Sequence, residues 1–212
     1  MNADAQTARD DLAFLRTLFD SGDGGLPGFG EGYFAAGLVY GAQMLMHGAQ
    51  VLGWLPPSGI PALAIGVGPT LVFIPMICWI NWRHRKDRPP AAVGRAIAAV
   101  FGAIGLANLT LAAVIGSVAW REHSLTTWLI YPCVVFVLQG AAWLVTALMK
   151  RRGWMAAVAV GWCVAAIAMA ASVDRIGVYI FFAGLGIWAC MALPGWVTIQ
   201  LKRAEPVSAA AP

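Results

Sequence analysis

Charge is what this sequence has least of. Of its 212 residues only 11% are Asp, Glu, Lys or Arg, against roughly 25% in a typical soluble chain, and 60% are hydrophobic. Such a balance excludes a soluble globular domain, and it excludes a disordered or strictly periodic fibrous chain as well. Catalytic signatures are missing too. The H-E-x-x-H, G-x-S-x-G and G-x-x-x-x-G-K-[ST] spacings do not occur, so the zinc, acyl-transfer and phosphate chemistries that need them have no support. The cysteines Cys78, Cys133, Cys163 and Cys190 form no C-x-x-C pair and fall in four different apolar stretches, which reads as small packing residues. No metal site and no cofactor is expected.

What charge there is marks where the chain leaves hydrocarbon, because an ionised side chain at the centre of a bilayer costs roughly 2.5 to 3.5 kcal/mol on insertion scales. Nothing ionised occurs from Gly32 to Trp82, Ala96 to Trp120, His123 to Met149, Gly153 to Val173, or Ile176 to Leu201. Four of these intervals suit one helix of about 20 residues across about 30 Å. The first is longer and is broken at Pro56, Pro57, Ser58, Gly59 and Pro61, where lost donors and a flexible glycine divide it in two. The expected fold is an all-α integral membrane protein. Six transmembrane helices, at about 33–55, 60–82, 96–120, 124–149, 153–173 and 176–201, form three consecutive hairpins behind a short amphipathic helix. By domain, residues 1–30 are a leader, 31–203 the transmembrane unit and 204–212 a disordered tail.

Orientation follows from the basic residues. Arg83, Arg85, Lys86, Arg88, Arg95, Lys150, Arg151, Arg152, Lys202 and Arg203 would share one side, and only Arg121 and Arg175 the other. The positive-inside rule then makes both termini cytoplasmic in a multi-pass protein of a bacterial inner membrane. The net charge of +4 is topological on this reading, and no nucleic-acid partner is expected.

The leader is no cleavable signal, since Asp4, Asp10, Asp11, Asp20 and Asp23 outnumber Arg9 and Arg16. Leu12, Leu15 and Phe19 recur at helical spacing, so residues 7–20 read as an amphipathic helix. It either lies on the bundle or docks a cytoplasmic protein. Between helices in lipid, close approach of small residues supplies much of the attraction. Gly37 and Gly41 form a G-x-x-x-G, Gly102 and Gly105 notch the third helix, and Gly184 and Gly186 the sixth. These serve internal packing or a homo-oligomer. Eight alanines between 153 and 173 point to an interior fifth helix. Trp79, Trp143 and Trp196 each precede a basic residue by seven positions, which raises the alternative of a threefold repeat of two-helix units.

At 100° per residue, Tyr40, Gln43, His47 and Gln50 share an arc of about 80° on the first helix. Asn108 and Gln139 stand at similar depth on the third and fourth. Buried amides and an imidazole need partners, and the expected arrangement points them at one another, as interhelical glue or as a site for a small ligand. No intramembrane carboxylate or lysine exists to drive proton coupling or a Schiff base. The leading expectation is therefore a non-enzymatic module that binds a partner or small apolar ligand and reports to the cytoplasm. The alternatives are a facilitator or uncoupled carrier lined by the polar cluster, and the membrane subunit of a cofactor-holding enzyme.

Overall fold

The computed structural model describes residues 28–86 and 92–204, and every regular element among them is helical. The helices are α1 (Phe29–Val51), α2 (Gly59–Arg83), α3 (Ala92–Glu122), α4 (Leu125–Lys150), α5 (Gly153–Ala170), α6 (Ile176–Ile187) and α7 (Leu193–Ala204). A 3-10 turn, His84–Lys86, extends α2, and a π turn, Trp188–Ala192, joins α6 to α7 into one rod. Residues 7–20, with Leu12, Leu15 and Phe19, lie outside the described residues, as do Arg88 and positions 205–212.

Helix ends follow local chemistry. Ser124 caps α4 by accepting the Thr127 amide at 3.1 Å, and Arg151 stops the same helix in the left-handed region at φ 52°. The π turn has a cause in Pro194. A proline has no N–H for the carbonyl four residues back and its ring crowds that carbonyl, here Cys190. The ladder widens just before it, and the Leu193 amide bonds Trp188 five residues back.

Five helical spans are long and apolar enough to cross a membrane: Gly59–Lys86, Val93–Glu122, Leu125–Lys150, Gly153–Ala170 and Ile176–Ala204. The helix α1 is long enough at 23 residues but less apolar. Its Glu31, Gln43, His47 and Gln50 are the reason.

Two helices at the edges flank a packed centre. The α6–α7 rod lies against α1, α6 also against α5, and α5 against α4, while α2 packs on α1 and α3 on α4. The core is built from Tyr33, Phe136, Trp143, Trp162, Met169, Tyr179 and their neighbours. Ends meet consistently. The Phe29 ring lies 4.9 Å from Phe101 and 6.2 Å from Trp143, Glu31 pairs with Arg83, and Gly30 sits under Thr198. So the start of α1, the end of α2, the start of α3 and the ends of α4 and α7 share one end of the bundle. That end carries Arg83, Arg85, Lys86, Arg95, Lys150, Lys202 and Arg203, whereas Arg121 belongs to the opposite one.

The alanine-rich α5 is two-faced rather than interior. Met155, Ala159, Trp162, Ala166 and Met169 form one buried stripe, and Ala157, Val160, Val164, Ile167 and Ala170 are exposed. Alanine permits close approach without requiring it, because its one methyl gains little from burial. The three tryptophans of the seven-residue spacing also differ in surroundings. Trp143 is 0% exposed, whereas Trp79 and Trp196 are 53% and 47% exposed.

Candidate functional site

Small residues decide how near α1 comes to the α6–α7 rod. A Cβ on Gly37 would lie 2.5 Å from the Ala192 backbone, and one on Gly41 would lie 2.7 Å from the Trp188 ring. The G-x-x-x-G therefore packs inside this chain. Gly195 takes the reciprocal role, facing the Phe34 backbone at 2.4 Å from a would-be Cβ. On α6, a Cβ at Gly186 would strike Phe136 at 2.7 Å, while one at Gly184 would make ordinary contact with Met44. Gly102 and Gly105 differ: a Cβ on either would meet nothing within 4 Å. The expected notch on α3 has no partner among the described residues, because α3 turns that face away from α4.

The predicted polar residues fall into separate hydrogen-bonded groups rather than one cluster. The Tyr40 hydroxyl lies 3.4 Å from Thr70 Oγ1, and Gln43 Nε2 donates to the Gly66 carbonyl at 3.1 Å, so both tie α1 to α2. His47 Nδ1 lies 2.8 Å from Gln50 Oε1, and Gln50 Nε2 donates to the Pro56 carbonyl at 2.7 Å. This second group closes the α1–α2 turn. Gln139 belongs to a third, in which it accepts from the Tyr33 hydroxyl at 3.3 Å while Trp143 Nε1 donates to that hydroxyl at 2.6 Å. Asn108 Oδ1 is buried, with no hydrogen-bond partner among the described residues.

Sequence reasoning missed the centre of the third group. Tyr33 and Trp143 are almost fully buried, stack edge to face at 5.3 Å, and have the rings of Phe29 and Phe101 around them. The Trp162 indole nitrogen is buried nearby, on the side of the Tyr33 hydroxyl. A tyrosine and a tryptophan seven residues before a basic stop look like interfacial anchors in sequence. Their burial depends on helix rotation, which no local signal fixes. A similar pairing across helices joins Tyr179, whose hydroxyl donates to the Leu129 carbonyl at 2.8 Å.

Rotation also produces a seam. The helices α2 and α3 are consecutive, yet they share no extended contact among the described residues. At the basic end the seam is bridged by Phe29 and Tyr33 against Phe101 and Trp143. Further along, Tyr40 meets Thr70 and Phe73 where α1 packs on α2, and Tyr131 stacks on Trp128 of its own helix α4. Every polar group named there is uncharged. At the opposite end, Gly116, Trp120, His123 and Trp128 line an open hollow of about 340 Å³ with a mostly apolar wall.

Among the described residues no group of three or more His, Cys, Asp or Glu comes together as a metal site would require. Compared with protein-family models, curated proteins and solved structures, the chain shows no match.

Proposed function

We propose that this chain is a six-span, non-enzymatic module of a bacterial inner membrane, with both termini cytoplasmic. It holds a small apolar ligand with an uncharged polar end in the seam between α2 and α3. The single observation that carries this reading is the parting of these two consecutive helices beside an uncharged hydroxyl pair, Tyr40 with Thr70. An apolar slot with a few placed polar groups is the usual form of a small-ligand site. Asn108 Oδ1, buried and unbonded, is an acceptor whose desolvation cost a donor on the ligand would relieve. The output is cytoplasmic: Tyr40 and Tyr33 share α1, and the leader with Leu12, Leu15 and Phe19, the proposed dock for a protein partner, precedes α1 in the sequence.

A carrier would use the same residues as a path. Gln43 and Gln50 already donate to the Gly66 and Pro56 carbonyls, so fewer free polar groups line a route across than the sequence promised. Binding is the better-supported reading.

Native mass spectrometry of the protein extracted in mild detergent tests it. The expected result is a retained hydrophobic molecule that is not a phospholipid, lost in Tyr40→Phe and Thr70→Val with helicity unchanged. Retention of phospholipid alone, by wild type and both variants, would contradict it. Deleting residues 1–25 is expected to abolish recovery of cytoplasmic partners while the bundle stays folded.

A further inference from the structure

The end of α2 is unlike the other basic ends of the bundle. Arg83 lies over the Trp79 ring at 5.1 Å and Arg85 over the Trp82 ring at 5.0 Å, so each guanidinium stacks on an indole of the same helix. Both tryptophans are exposed, at 53% and 58%. Stacking on a ring face leaves the guanidinium edge, with its donors, turned outward. Lys86 follows in the 3-10 turn and is exposed. Among the described residues Glu31 takes Arg83 and also lies 3.3 Å from His84, while Arg85 and Lys86 are exposed. From Arg83 to Arg88 the sequence holds four basic residues against Asp87 alone.

We propose that Arg85 and Lys86, with Trp82 beneath, form a binding site for the phosphate-bearing headgroup of an anionic glycerophospholipid. The indoles set the depth, since exposed Trp on a membrane helix sits at headgroup level. The guanidinium edge and the ammonium then meet the phosphate, to which Arg presents a matched pair of donors. Among the described residues α2 is an edge helix whose extended helix contact is with α1, which leaves its other side open laterally. The acyl chains would run along its exposed Leu71, Val72, Ile74 and Trp79. This inference rests on the reading that the chain spans a bilayer, and the two fail differently.

The full-length protein is reconstituted into nanodiscs of equal POPC and POPG, after flotation with vesicles of the same composition has shown insertion. Native mass spectrometry then gives the ratio of POPG to POPC retained. Wild type is expected to retain POPG preferentially, and Arg85→Gln with Lys86→Gln to lower the ratio about fivefold or more, as two lost charges at an anionic surface imply. Trp82→Leu keeps both charges and is expected to lower it about twofold, the scale of one exposed cation–π contact. Arg121→Gln, at the opposite end, should leave it unchanged. Equal ratios for wild type and the double variant in inserted protein would overturn the site, as would displacement of POPG by inorganic phosphate at equal concentration. Protein that fails to float with vesicles would instead overturn the membrane reading.

Discussion

Trp143 Nε1 donates to the Tyr33 hydroxyl at 2.6 Å, across 110 residues of chain and in a part of the core where Trp143 is wholly buried. This bond and the Tyr33 to Gln139 bond are the polar links drawn from α1 to α4, and they bridge the basic end of the seam. Replacing Tyr33 by Phe keeps the ring and orphans a buried indole N–H. The expected loss is about 1 to 3 kcal/mol, read as a lower unfolding midpoint in detergent. An unchanged midpoint would show that the rings alone hold the junction.

Glycine substitutions separate the two kinds of small-residue position. Gly37→Ala places a methyl against the Ala192 backbone and is expected to cost about 1 to 3 kcal/mol by overpacking. Gly102→Ala fills open space and is expected to be neutral or to gain up to about 1 kcal/mol from helix propensity. Paired thermal melts check both. Equal destabilisation would mean that α3 is packed on that face, as a homo-oligomer would make it.

Asn108 offers a test with the opposite sign. Its side-chain oxygen is buried without a partner, so Asn108→Leu should raise the stability of ligand-free protein by about 1 kcal/mol or more while weakening ligand retention. A less stable variant would show that Asn108 is structural glue.

The Glu31 pair with Arg83 and His84 lies at the surface, where ion pairs contribute little and salt screens them. Glu31→Gln is expected to cost less than about 1 kcal/mol at low salt. In about 1 M salt the difference should vanish, since the Debye length falls to about 3 Å. Melting curves at both salt levels decide it.

Much of the helical layout was legible because ionised side chains punctuate the apolar stretches, so Arg83, Arg95, Arg121, Lys150 and Arg175 stand close to helix ends. The Pro56 to Pro61 break was legible for the same kind of reason, since prolines remove donors. Helix rotation was not legible. Gly37 and Gly102 look alike in sequence, yet one meets a backbone and the other nothing. The same holds for Trp143 and Trp79, each seven residues before a lysine. Tyr40, Gln43, His47 and Gln50 do share one face of α1 as the periodicity requires, but a shared face does not say which neighbour lies opposite. Their partners proved to be α2 and the turn after α1, and Gln139 found Tyr33 instead.

Labelling of single cysteines decides whether the chain makes six spans with the basic loops on one side. With the four native cysteines replaced, Arg85→Cys, Arg151→Cys and Arg121→Cys are exposed in intact cells to a membrane-impermeant maleimide. Positions 85 and 151 are expected to react only after permeabilisation, and position 121 before it. Reaction of 85 and 151 on opposite sides would contradict that arrangement.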